Sequence, residues 1–383
     1  MAPFPETLGV FPQHFRPMKF SPFAYMSWAK ARFPRPRFDL AVSGMAPPGP
    51  DLLPLDDSLL TLHGVSPVQH RGLREDIART YGVSQQQVLL ANGTSEANYL
   101  VAALLLSPGD RVLVETPAYE VLGNIGALFG AETGSFSRYA DDGFAFRAAR
   151  VVEAWQPATR LVILTTPHNP SGACASAEEL AALGAHLDRH DAYALVDEVY
   201  RDFQAAPGPV AAVLHPRLIT TASLTKVYGL GAIRVGWALA PADLVARGYQ
   251  YYDYMGVNQP TISLCIAQAG LARLEMLRHH ALHRARENAV LVQRFLDNSS
   301  HFAGTLPEAG IIAFLRATPA IDTRHFAEWL CDHYQTLVAP GDFFGLPGFV
   351  RLGFGGAAPD VEEGLRRLEA GLADYLEQME GGR

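Results

Sequence analysis

From about residue 72 onward, short runs that are apolar on both faces alternate with helical stretches: Val88–Leu90, Val112–Val114, Leu161–Leu164, Ala192–Val196 and Leu218–Thr221. A strand with no polar face must be covered on both sides, the condition of a parallel sheet between helices. One linking stretch runs Ser176-Ala177-Glu178-Glu179, then Leu180, Leu183 and Leu187, which reads as a capping box followed by an apolar stripe. The alternation predicts an α/β fold with a mostly parallel sheet flanked by helices.

The ends of the chain differ from this middle. Eleven of the 27 prolines lie in the first 54 residues, which excludes a central strand or a long helix there. An arm lying over other structure is expected, with one short helix within Phe23–Ala31. Phe11, Phe15, Phe20, Phe23, Tyr25 and Trp28 are too many aromatics for a solvated linker. Beyond about residue 285 helices return with a few strand-like pieces, and Val361, Leu365, Leu368, Leu372 and Leu376 predict an amphipathic last helix. The expected organisation is a large domain over 47–285, with a smaller α+β domain formed by the arm (1–46) and 286–383.

Composition narrows the function. Hydrophobic residues are 49% and charged residues 18%, so the chain buries a core. The net charge is −8 with no basic cluster, against a nucleic-acid or anionic-membrane partner. The longest apolar stretch, Tyr99–Leu106, is too short to span a bilayer, and the proline-broken start has no apolar signal region. Cys174, Cys265 and Cys331 are scattered and odd in number, so buried thiols in a reducing, cytoplasmic setting are expected.

In open α/β sheets ligands gather beyond the carboxyl ends of the strands, and each apolar run here is followed by polar residues. Asn92-Gly93-Thr94-Ser95 enters a helix with a glycine turn and two hydroxyls, an arrangement that suits a phosphate. Thr166-Pro167-His168-Asn169-Pro170 predicts a rigid, extended loop aiming Asn169 inward. Asp197-Glu198-Val199-Tyr200 places a carboxylate at the end of an apolar strand, where it needs a partner. Ser223-Leu224-Thr225-Lys226 ends another, with Arg234 eight residues on; a lysine there loses its proton readily and can attack a carbonyl. Taken alone, each has an ordinary reading: an N-cap, a plain turn, a structural ion pair, a surface lysine. Together they describe a phosphate cradle, an amide donor, a buried anion and a nucleophilic amine around one ligand, a phosphorylated aromatic aldehyde.

Here the chain closely resembles the fold-type I pyridoxal-phosphate enzymes of the class I/II aminotransferase family, from about Gly44 to Arg351. The run Ser223-Leu-Thr-Lys226-Val-Tyr-Gly-Leu-Gly-Ala-Ile-Arg234 carries most of the resemblance, with His168-Asn169-Pro170-Ser-Gly and Asp197-Glu-Val-Tyr200 beside it. The resemblance implies pyridoxal 5′-phosphate (PLP) joined to the Lys226 amine. It assigns Asp197 to the ring nitrogen, Asn169 and Tyr200 to the ring 3-oxygen, and Tyr119 to the ring face. Gly93, Thr94, Ser95, Ser223 and Arg234 would hold the phosphate. Arg351, in Val350-Arg351-Leu352-Gly353-Phe354, would grip the substrate α-carboxylate as a planar fork, with the Gly44 backbone and Asn169 nearby. The implied activity moves an amino group from an L-amino acid to a 2-oxo acid in a homodimer. The alternatives on the same scaffold are a β/γ-lyase or amino-acid cyclase, and a non-enzymatic sensor, which would lack its usual appended basic module. In one departure, Leu62–Arg74 lacks the tyrosine with which the family's partner subunit reaches the phosphate.

Other signals are discounted. His279 and His283 have helical spacing but no third ligand. Gly353-Phe354-Gly355-Gly356 is no dinucleotide fingerprint, and Asp141-Asp142-Gly143 reads as a turn.

Overall fold

The computed structural model describes residues 22–55, 67–307 and 309–381. Phe11, Phe15 and Phe20 of the arm and residues 62–66 of the Leu62–Arg74 stretch lie outside these. The arm forms a short helix, α1 (Ala24–Lys30), and a two-residue strand, β1 (Phe38–Asp39). After α2 (Pro67–Tyr81) comes the main sheet: β2 (Val88–Ala91), then helix α3 (Thr94–Leu105), β3 (Arg111–Thr116), β4 (Glu132–Ser137), β5 (Thr159–Thr165), β6 (Tyr193–Asp197), β7 (Leu218–Ser223) and β8 (Gly236–Leu239). Their spatial order is β2-β8-β7-β6-β5-β3-β4. The pairs from β7 to β4 are parallel, whereas β8 runs antiparallel to both β2 and β7.

The apolar runs become β2, β3, β5, β6 and β7, and their alternate residues feed two cores. Leu89, Ile163, Leu195 and Ile219 pack with Leu100 and Val101 of α3 on one face. Leu113, Val162, Leu164 and Val196 meet Leu180, Leu183 and Leu187 on the other. In the helix Ala177–Arg189 only half of the expected capping box forms. The Ser176 hydroxyl accepts from the Glu179 N–H, but the Glu179 carboxylate turns away to the Ala148 N–H at 2.6 Å.

The remaining strands are β9 (Phe302–Ala303), β10 (Ile312–Ala317), β11 (Thr336–Leu337), β12 (Ala339–Pro340) and β13 (Phe349–Gly353). Four make an antiparallel sheet, β12-β13-β10-β9, while β1 of the arm pairs with β11. The last helix, Ala358–Gly381, buries Val361, Leu365, Leu368 and Leu372 as its stripe requires. The arm is tied at both ends of α1. The Glu120 carboxylate accepts the Ala24 and Tyr25 N–H groups, and the Trp28 indole donates to Glu328. The three cysteines form no disulfide with one another and are half-buried rather than fully buried. Among the described residues no helix is long and apolar enough to cross a membrane, and no cluster of side chains could hold a metal.

Beneath the loop after β5 lies a fully buried ion pair, Glu115–Arg138, at 2.8 Å. Glu115 also accepts the Thr165 N–H and hydroxyl, both at 2.7 Å, and the same hydroxyl accepts the Asn169 N–H. Arg138→Ala would strand the carboxylate without its cation and is expected to cost about 3–5 kcal/mol of stability. Urea unfolding checks this, and a loss below about 1 kcal/mol would show that the pair does not hold the loop.

Candidate active site

The carboxyl ends of β2, β5, β6 and β7 open onto one cavity of about 440 Å³. Thr94 and Ser95 line it from the start of α3, Tyr119 from the turn after β3, and Asn169 from the loop after β5. Asp197 and Tyr200 enter from β6, and Ser223, Lys226 and Arg234 from β7 and its loop. The predicted motifs therefore meet. Gly93 lies just behind the wall; a Cβ there would sit 2.4 Å from Arg234 Nη2, so only glycine allows the guanidinium so close. Gly44 packs on the aliphatic stem of Lys226.

At the anion end no side chain caps α3, so its first-turn N–H groups face the cavity at the positive end of the helix dipole. The Thr94 and Thr225 hydroxyls are buried without a hydrogen-bond partner among the described residues. Unsatisfied buried donors are costly, and a phosphate would satisfy them with Ser95, Ser223 and Arg234. The residues present fit that group.

At the opposite end Asp197 is 9% exposed. Its Oδ2 accepts from Asn98 Nδ2 at 3.0 Å and its Oδ1 from the Val199 N–H. Burial lifts the carboxyl to about 6, against the pull of these bonds and of Lys226. Asn98 was missed by sequence reading. Its amide orientation is set by Thr221, whose hydroxyl donates to Asn98 Oδ1 at 2.6 Å, leaving the NH₂ for Asp197. The one available signal is an amide, four after Thr94, among the residues that helix α3 buries.

The Lys226 amine donates to Ser43 Oγ at 2.9 Å. Burial, helped by Arg351 and Arg234 and opposed by Asp197, lowers it to about 8. Tyr200, 2% exposed, donates its hydroxyl to the Ser43 carbonyl at 2.8 Å, and burial raises its phenol to about 12. The Asn169 loop is a turn rather than extended: its Thr166–Pro167 bond is cis and the Gly172 N–H closes onto His168 O. Arg351 is 1% exposed and stands behind the wall. It donates to Asn169 Oδ1, the Tyr25 hydroxyl and the Ala41 carbonyl, and its Nε has no partner among the described residues. The arm thus supplies residues that no motif announced: Tyr25, Met26, Ala29 and Arg35 also line the cavity.

These values fix a pH dependence. A lysine with a lowered pKa is a free amine above about pH 8, and Asp197 is ionised above about pH 6. Covalent loading of a carbonyl ligand such as PLP should rise about tenfold per pH unit below the lysine value and level off above it. Stopped-flow absorbance between pH 5 and 11 checks this; a plateau reached only near 10.5, the ordinary lysine value, would contradict the buried amine.

A family model described as aminotransferase class I and II matches residues 57–368. The chain is 30% identical over 350 residues to an arginine–pyruvate transaminase of Pseudomonas aeruginosa, covering 86% of this chain and 88% of that protein. It is also 30% identical over 294 residues to a capreomycidine synthase of Streptomyces vinaceus, covering 75% of each. Among solved structures it is similar to a PLP-dependent cyclase, with a TM-score of 0.82 and 26% identity over 96% of this chain and 100% of that one.

Proposed function

The chain belongs to the class I and II aminotransferases, PLP-dependent transferases of fold type I, and from that premise we propose how its own residues move an amino group from an L-amino acid to a 2-oxo acid. The observation that carries the reading is the convergence of a depressed amine, Lys226, and a buried carboxylate, Asp197, on one cavity whose far end is an anion cradle.

When bound, PLP supplies an electrophilic carbon and a ring that takes up the electron pair left at the substrate Cα. The first turn of α3, Ser223, Thr225 and Arg234 hold the phosphate. Asp197, held ionised by Asn98, keeps the ring nitrogen protonated. Asn169 and Tyr200 would hold the ring oxygen, and Tyr119 would cover the ring. The Lys226 amine would hold the cofactor covalently and, once freed by substrate, would carry the substrate α-proton on its Nζ. Arg351 takes the substrate carboxylate, exchanging its Tyr25 and Ala41 contacts for it, with the Gly44 backbone alongside. The arm excludes water from above.

The large domain spans about 47–285 and the smaller one combines the arm with 286–383. The protein works in the cytoplasm as a homodimer; the exposed apolar cluster Tyr254, Met255 and Val257 supports self-association.

A panel of L-amino acids, each mixed with the holoenzyme and followed by absorbance, should convert the bound cofactor to its amine form and release a 2-oxo acid. Similarity to a synthase and a cyclase favours a second reading, elimination or ring closure on the same cofactor. Its mark is turnover without any amine form.

A further inference from the structure

One side chain contacts the Lys226 amine directly yet belongs to no motif. Ser43 lies on a strap of the arm, residues 40–45, that crosses the cavity wall. The strap is fixed at successive points. The Leu40 carbonyl accepts the Gly353 N–H at 2.7 Å and the Ala41 carbonyl accepts Arg351 at 2.7 Å. The Ser43 carbonyl accepts the Tyr200 hydroxyl at 2.8 Å, and the Met45 N–H donates to the Lys226 carbonyl at 2.8 Å. A Cβ on Gly353 would overlap the Val42 carbonyl, so the strap lies flush on β13. Its backbone thus leaves the Ser43 hydroxyl little freedom, and that hydroxyl meets Nζ at 2.9 Å.

We infer that Ser43 is a positioning residue for the proton-carrying amine: its hydroxyl holds the free Lys226 Nζ at one place on the cavity wall and favours its protonated form. This rests on the proposed role of Lys226. The charged groups acting on the amine are Asp197 from the end of β6, Arg351 from β13 and Arg234 from the loop after β7; Tyr200 faces the same strap from below. Asp197 favours the ammonium, and the two arginines oppose it. A lysine has four rotatable bonds and loses much freedom when held. The Ser43 oxygen accepts more strongly from an ammonium than from a neutral amine, so the contact helps Lys226 keep a proton it has just taken. In the transfer the proton would pass from the substrate Cα to Nζ and from Nζ to the cofactor carbon, with the electron pair left at Cα taken up by the ring, and Ser43 neither gains nor loses a proton.

The test compares wild type, Ser43→Ala and Ser43→Thr, all full length. PLP loading into cofactor-stripped protein, followed by absorbance across pH 5–11, reads the lysine titration. Deuterium uptake at Cα, followed by NMR in the holoenzyme with whichever panel amino acid forms the amine form, reads proton transfer. Ser43→Ala should move the loading break down by about one pH unit and slow Cα exchange about tenfold, and Ser43→Thr should restore both. An Ala variant whose break stays in place overturns the inference, whether or not its exchange is slowed, because a merely structural defect leaves the titration unmoved. Wild-type protein that never shows the absorption of lysine-linked cofactor sinks the function itself. A normal wild type beside an unchanged Ala variant sinks only the role of Ser43.

Discussion

Lys226→Ala should reduce transamination by about 10⁴-fold or more, since one side chain serves as both attachment point and proton carrier. The size follows from its surroundings. At pH 7.5 an amine titrating near 8 is roughly one-quarter free base, whereas one at the ordinary 10.5 is free in about one molecule per thousand. Alanine removes the amine but keeps the backbone carbonyl that accepts the Met45 N–H, so the fold should survive with a similar melting temperature. Borohydride reduction and peptide mass mapping should place a pyridoxyl adduct on residue 226 in wild type and none in the variant. Activity within a hundredfold of wild type would remove Lys226 from its assigned role.

The second large effect is at Asp197. Asp197→Asn keeps the shape and can still accept from Asn98, but a neutral amide cannot hold a proton on the ring nitrogen opposite. A loss of about 10³-fold in kcat is expected, with covalent loading at Lys226 largely preserved. Stability should move the other way. Burial raises this carboxyl from 3.8 to about 6 in the folded protein, and a raised acid destabilises the fold above its folded pKa and not below its unfolded one. In cofactor-free protein at pH 7 the Asn variant should therefore be more stable, by about 1–2 kcal/mol after allowing for weaker hydrogen bonds. That advantage should fade as pH falls from about 6 towards 4. Urea melts at pH 7 and pH 4 check the sign; a variant less stable at pH 7 would mean that the charge is already well compensated. With the expected sign, the protein carries a buried charge for function at some expense of stability.

Two strands of the main sheet escaped sequence reading for different reasons. β4, Glu-Thr-Gly-Ser-Phe-Ser, is an edge strand with Phe136 as its only fully buried residue, so it needs no apolar run. β8 is four residues long, and its antiparallel insertion between β2 and β7 depends on pairing that no local pattern encodes.

The amino-acid sequence by itself determined the α/β class, the strands that carry the cavity, and the residues in motifs at their ends. Those strands are legible because a doubly covered strand must be apolar throughout, and the motifs because a loop at a strand end is a contiguous stretch of chain. Tertiary structure alone decided which other side chains meet them. Asn98 reaches Asp197 across 99 residues of sequence, Ser43 reaches Lys226 across 183, and Tyr25 reaches Arg351 across 326. Such contacts follow from how the arm lies over the sheet. Nothing in the local periodicity of a proline-rich segment records that placement, because it is set by packing against β13 and by hydrogen bonds to distant backbone groups.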